Sequence, residues 1–166
     1  LKKNSLFKNQ TGAKQDSIKS FCKKISKAKN TKISDDFMII ARIESFILGK
    51  GVNDALKRAE AYSNAGADAI LIHSKENNPS QIFSFSKKFK KSKYFKPLVS
   101  VPSSYSKTYE KDLIKNGFKI IIYANHMMRA SYPSMLEVAK SILNNGRSYD
   151  MEKKISSIKE IINLIK

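Results

Sequence analysis

Three features predict a parallel α/β fold: four short runs of apolar, often β-branched residues, helical periodicity between one run and the next, and turn residues at nearly every junction. Parallel strands cannot be joined by tight hairpins, so each pair needs a crossover, and helices in that role cover the sheet. The 166 residues, 41% of them hydrophobic, suffice for one domain with a sizeable core and are short for two. A single domain over residues 1–166 is therefore expected.

The first periodic segment runs from Gln15 to Lys29, where Ile18, Phe21, Cys22, Ile25 and Ala28 follow helical spacing and Asp16 or Ser17 can cap the first turn. Cys22 is the only cysteine, so no internal disulfide can form, and its place on the apolar stripe suits a buried thiol. After the turn residues Asn30 to Asp36, the run Phe37-Met38-Ile39-Ile40-Ala41-Arg42-Ile43 is nearly all apolar, as in a strand buried on both faces. A helix capped by Asn53 or Asp54 follows, running through Ala65 to a left-handed stop at Gly66, and Ala69-Ile70-Leu71-Ile72-His73 is the second strand.

Pro79 opens a helix carrying Ile82, Phe85 and Phe89, and Pro97 to Val101 is the third strand. Ser106 to Asn116 is predicted helical with Leu113 and Ile114 inward, Gly117 stops it, and Phe118 to Tyr123 is the fourth strand. Two helices close the chain, Ser131 to Asn145 and Glu152 to Ile165, the last with Ile155, Ile158, Ile161, Ile162 and Ile165 on one side.

The formal charge is +18, yet only Arg42, Arg58, Arg129 and Arg147 among the 32 basic residues are arginines, and the lysines are spread over nearly every element. Polyanion binders gain from clustered cations, and specific phosphate readers favour the planar Arg fork. Dispersed lysines fit solvated faces instead, so nucleic acid is not an expected partner. No apolar run approaches the length of a membrane span, and the first ten residues lack the apolar stretch of a secretory signal. No membrane partner is expected, and a cytoplasmic location is.

Every predicted strand finishes in polar residues: Arg42 and Glu44, His73 and Ser74, Ser103 and Ser104, Asn125 and His126. In parallel α/β folds these ends converge on one mouth, where substrates bind. An Arg, a neutral His and an Asn amide around one cavity suit a phosphoryl or carboxylate group, so a small anionic substrate is expected. The bland alternatives are a structural Arg42–Glu44 ion pair and a histidine satisfied by its neighbours. No Ser-His-Asp spacing, HExxH or CxxC pattern is present. Leu48-Gly49-Lys50-Gly51 is not the Gly-rich loop of an open doubly wound sheet, and a (β/α)₈ barrel takes roughly 250 residues, twice what four βα units supply. Both architectures stay open on this ground alone.

A likeness narrows the choice. Lys2-Lys3-Asn4-Ser5-Leu6, Ile40-Ala41-Arg42-Ile43-Glu44-Ser45-Phe46, Ala55-Leu56-Lys57-Arg58-Ala59-Glu60-Ala61-Tyr62, Ala65 to Lys75, and Ala124-Asn125-His126 with Arg129-Ala130 stand in family order across nearly the whole chain. The sequence resembles the phosphoenolpyruvate mutase branch of the isocitrate lyase superfamily. That resemblance implies the C-terminal half, the last four βα units, of a (β/α)₈ TIM-type barrel plus C-terminal helices. Residues 1–14 would be a gating-loop remnant, 15–145 the βα units and 146–166 the terminal helix.

The resemblance also implies the chemistry: a Mg²⁺-dependent isomerase of phosphonate biosynthesis that moves a phosphoryl group between the enol oxygen and C3 of pyruvate enolate. Lys2 and Asn4, with Ser5 beside them, match gating-loop residues that close over substrate, and Arg42 and His73 match strand-end residues that hold the phosphoryl group. The metal ligands are expected upstream of Leu1, so this chain alone is expected to be inactive. A homo-oligomer is expected, a dimer or tetramer with exchanged terminal helices. The lyases of the superfamily carry a loop Cys where this chain has Asn4, which disfavours carbon–carbon cleavage; phosphonopyruvate hydrolase is the nearer alternative and typically lacks that Asn. Leu1, Lys50, Tyr123, Met127 and the Ser103-Ser104-Tyr105 stretch depart from the family pattern.

Overall fold

A computed structural model of the protein describes residues 14–165. Lys2, Asn4 and Ser5 lie outside the described residues. The chain divides between Ala124 and Asn125 into two compact units.

The first unit alternates helix and strand: α1 (Ile18–Thr31), β1 (Ile40–Ile43), α2 (Gly51–Asn64), β2 (Ala69–Ile72), α3 (Ser80–Phe89), β3 (Leu98–Ser100), α4 (Glu110–Lys115) and β4 (Phe118–Ile121). All neighbours pair in parallel in the order β1-β2-β3-β4. Ser17 caps α1, its hydroxyl accepting the Ser20 N–H at 3.1 Å. Gly66 and Gly117 end α2 and α4 as expected, at φ +109 and +90, where side-chain-bearing residues are strained.

Strand β1 is shorter than its apolar run. Phe37 and Met38 are 62% and 48% exposed, and pairing begins only at Ile40 opposite Ala69. Asp68 fixes that starting point. Its carboxylate accepts the Ile39 N–H at 2.9 Å, its own N–H donates to the Ile39 carbonyl at 2.8 Å, and Lys29 of α1 pairs with it at 3.2 Å. The Ile39 N–H, with Lys29, holds the Asp68 carboxyl below its usual range despite partial burial.

The sheet has two unlike faces. Ala41, Ile43, Ile70, Ile72, Leu98 and Phe118 pack with Ile25, Ala55, Ala59, Tyr62, Ile82, Phe85, Phe89 and Leu113 into the main core under the helices. The other face carries a small cluster of Ala69, Leu71 and Val99, backed by Val101 and Ile120. β1 was expected to be buried on both faces; it alternates instead, with Ala41 and Ile43 buried and Ile40 and Arg42 exposed, because it is an edge strand beyond that second cluster.

Helix ends also differ. α2 begins at Gly51 rather than after an Asn53 or Asp54 cap, which leaves Asp54 in its first turn. α4 spans Glu110–Lys115 only; Leu113 is fully buried, but Ile114, expected inward, is 55% exposed. One residue turns a helix by about 100°, which carries Ile114 away from the side on which Leu113 packs. Ala28 likewise lies exposed on α1, and Cys22 is half-buried, its thiol donating to the Ala61 carbonyl at 3.5 Å.

In the second unit α5 (His126–Asn145) starts five residues before the expected Ser131 and continues through Pro133. Gly146 closes it in the left-handed region, donating its N–H to the Ile142 carbonyl at 2.8 Å. A 3₁₀ turn (Tyr149–Met151) packs on α5, and Lys154 pairs with Glu137 at 2.8 Å. The expected helix Glu152 to Ile165 reduces to α6 (Ile158–Asn163), because Ser157 and Glu160 form a capping box that starts it there. Its isoleucines are exposed, as is much of α5, including Met127, Met135 and Leu143. Among the described residues no helix is long and apolar enough to cross a membrane.

Phe85 is fully buried and stacks on Phe89 at 5.4 Å between ring centroids. Phe85→Ala is expected to lower the unfolding free energy by about 3–5 kcal/mol. Ile114→Ala should change it by less than about 0.5 kcal/mol. Urea unfolding of both variants in the complete protein checks that Phe85 belongs to the core and Ile114 lies outside it.

Candidate active site

Strand register places the first two candidates. Arg42 of β1 pairs opposite Leu71 of β2, and His73 lies two residues past Leu71, so it stands on the same face roughly 7 Å further along the strand direction. That face is the one carrying the smaller cluster, away from the helix-covered core. The two unlike residue types thus meet where two strands end.

Arg42 Nη2 donates to Glu44 Oε1 at 2.7 Å, with the side chains 39% and 28% exposed. Glu44 is held by its backbone: its carbonyl accepts the Leu48 N–H at 3.1 Å, and the next carbonyl, of Ser45, accepts the Lys50 N–H at 2.8 Å. A guanidinium presents a rigid planar fork of donors that matches phosphoryl or carboxylate oxygens, and a neighbouring carboxylate sets its orientation. The structural ion-pair reading and the binding reading of Arg42 are therefore compatible.

His73 is 4% exposed. Its N–H donates to the Ile43 carbonyl at 3.2 Å, while its ring Nδ1 has no hydrogen-bond partner among the described residues. Burial pushes its pKa from 6.5 down to about 4; the Arg42 charge adds to this and Glu44 opposes it. The ring is neutral at pH 7, with one nitrogen able to donate and one to accept. Ser74, fully buried beside it, fixes the outgoing chain by donating to Gln81 Oε1 at 2.7 Å and accepting the Glu76 N–H at 3.1 Å.

The remaining strand-end residues are placed differently. Ser103 and Ser104 are half-buried in the loop after β3, and Tyr105, which follows them, is fully buried with its phenol pushed up to about 12 by that burial. Asn125 and His126 belong to the second unit, as the N-cap and first residue of α5. Sequence reasoning overlooked Ser100, the last residue of β3, whose hydroxyl is fully buried without a hydrogen-bond partner among the described residues. Among the described residues no three of His, Cys, Asp and Glu gather so as to hold a metal ion, so no metal site is built from them.

A parallel α/β sheet with an oriented arginine and a buried neutral histidine at adjoining strand ends is the layout in which α/β enzymes place substrate-binding groups. Residues 3–143 match the phosphoenolpyruvate phosphomutase family, and the chain belongs to it. It is 42% identical over 147 residues to the phosphoenolpyruvate phosphomutase of Tetrahymena pyriformis, covering 89% of this chain and 48% of that protein. The crystal structure of phosphoenolpyruvate phosphomutase from Streptomyces platensis subsp. rosaceus superimposes with a TM-score of 0.88 at 35% identity, over 98% of this chain and 55% of the other. A crystal structure of phosphonopyruvate hydrolase in complex with oxalate and Mg++ gives 0.82 at 37% identity, over 94% and 56%. The chain spans about half the length of the curated relatives it matches.

The neutral state of His73 carries a pH signature. Its folded pKa lies below the unfolded value of 6.5, so as pH falls the unfolded chain takes up the proton first. The stability it permits is fully present above pH 6.5 and is lost as pH falls toward about 4. Urea midpoints measured across that window should decline in the wild type, and His73→Gln should remove this part of the decline.

Proposed function

We propose that the complete protein is a phosphoenolpyruvate mutase, interconverting phosphoenolpyruvate and phosphonopyruvate in the cytoplasm as part of phosphonate biosynthesis. The observation that carries this reading is the Arg42–Glu44 pair beside the buried, neutral His73 on one face of a parallel sheet. Family membership and the match to solved phosphomutase support it. The four βα units would be half of a closed (β/α)₈ barrel, which is consistent with the share of each relative that they cover.

In the reaction the P–O bond to the enol oxygen breaks and a P–C bond to C3 forms, the enol oxygen becoming the carbonyl of phosphonopyruvate. The step is an internal transfer and needs no outside proton. Arg42 would bind the phosphoryl oxygens through its fork, oriented by Glu44, and neutralise the charge that spreads over them during transfer. His73 would donate one N–H to the same oxygens without adding a positive charge that competes for Glu44. A histidine that stays neutral at pH 7 also cannot hand a proton to the enolate, which would release pyruvate.

Lys2, Asn4 and Ser5 enter the proposal through the resemblance, as groups that close over the substrate and exclude water. Asn4 favours transfer, while the 38% identity to the phosphonopyruvate hydrolase of a Variovorax strain keeps hydrolysis as the second reading. Mg²⁺ would supply Lewis-acid stabilisation of the enolate; the described residues do not form its site, and nothing assigned to Arg42 or His73 runs through it. The exposed apolar side chains of α5 support a homo-oligomer that covers them.

Phosphorus NMR of the complete protein with phosphonopyruvate and Mg²⁺ should show phosphoenolpyruvate appearing. Inorganic phosphate accompanied by pyruvate would instead make it a hydrolase, and an unchanged spectrum would refute both readings. Arg42→Ala should lower kcat/KM by about 10²–10³-fold, as expected for an oriented donor to developing charge.

A further inference from the structure

The segment Ala55 to Tyr62 has no part in the chemistry proposed so far, yet it contains a buried cation, Arg58, which is 5% exposed. Its guanidinium has three partners. Nε donates to Asp54 Oδ2 at 3.0 Å, and Nη1 donates to the Asp16 carbonyl at 2.9 Å and to the Tyr62 hydroxyl at 2.8 Å. Asp54, Arg58 and Tyr62 are four residues apart on α2 and therefore share a face.

The same Asp54 oxygen accepts the Ser45 hydroxyl at 2.7 Å, and Ser45 Oγ accepts the Gln15 side-chain N–H at 3.2 Å. Ser45 is fully buried and adjoins Glu44, whose carboxylate holds Arg42. A hydroxyl has a single proton, and here it is committed to the carboxylate while a lone pair takes Gln15, so its orientation is fixed. Burial alone would push the Asp54 carboxyl up, but the bonds from Ser45 and Arg58 outweigh it and keep the group ionised.

We propose that Arg58, acting through Asp54 and Ser45, is a positioning residue of the candidate active site. It fixes the loop that carries Glu44, and thereby the orientation of Arg42, and it ties that loop to Gln15 and Asp16 at the head of α1. The planar fork reaches a carboxylate, a carbonyl and a hydroxyl from two nitrogens in fixed directions; a lysine's three donors sit on one nitrogen and would lose that geometry. The inference rests on the reading of Arg42 and His73 as substrate-binding groups.

The test uses the complete protein carrying Ser45→Ala, Arg58→Lys or both, assayed well below each variant's Tm. Each single variant should lose about tenfold or more in kcat/KM for phosphonopyruvate, and the double variant should fall no further than the worse single, since both cut one line of contacts. Unchanged kcat/KM with a lowered Tm would mean a merely structural network and would overturn the proposal, as would losses that multiply in the double variant. A second readout does not depend on turnover. Arg42 and Glu44 both act on His73, so Ser45→Ala should displace the acid midpoint of the His73 ring resonances, assigned with a His73→Gln variant. An unmoved midpoint overturns the positioning role; a displaced midpoint in a protein that leaves phosphonopyruvate untouched supports it and refutes only the proposed reaction.

Discussion

Parallel pairing with helical crossovers gives the sheet of residues 14–124 one thick face and one thin one, and the placement of Arg42 and His73 follows from that asymmetry. Large side chains such as Phe85, Phe89 and Phe118 fill the helix side, while the opposite side holds little more than Ala69, Leu71 and Val99. Side chains alternate along a strand, so a slip of one residue in β1 would drive Arg42 into the aromatic core and expose Ile43. Burying an unpaired guanidinium costs several kcal/mol after relaxation, of the order of a small domain's whole stability. Asp68, which grips both backbone groups of Ile39 just before pairing starts, holds β1 against that slip.

Much of this was legible in the sequence because it rests on local periodicity. The four strands, the two glycine stops after α2 and α4 and a cap at Asp16 or Ser17 follow from spacing alone. Boundaries set by a distant partner were not legible. Phe37 and Met38 are as apolar as a strand, but the register with β2 begins only at Ile40. Ser131, the expected start of α5, lies inside the helix, which begins at His126 and tolerates the lost N–H at Pro133. The Ser157-x-x-Glu160 signature was readable and would have located the start of α6 correctly.

The site divides along the same line. Arg42 and His73 announce themselves as polar residues closing apolar runs. Asp54, Arg58 and Tyr62 announce only a helix face, because the residues that give them meaning, Ser45, Gln15 and Asp16, lie 9 to 42 positions away along the chain from their partners. Ser100 is hidden for another reason: a serine ending a short strand has no pattern that marks burial, and only the packed sheet shows its hydroxyl enclosed.

Arg58 and His73 show two opposite solutions to one problem. A charged group out of water must either be fully paired or give up its charge. Arg58 keeps its charge and directs its bonds to Asp54, Asp16 and Tyr62. His73 takes the other course, with burial and the nearby Arg42 charge making the proton unfavourable and Nδ1 left unpaired among the described residues. A cation that donates to a carboxylate, a carbonyl and a hydroxyl within the protein is suited to hold a loop still. An unsaturated neutral ring at a strand end is suited to meet a substrate, since a new acceptor or donor there would relieve a cost the fold already bears. The same burial that makes Arg58 a fixture thus makes His73 the more responsive group, and the line from Arg58 through Ser45 to Glu44 connects the two.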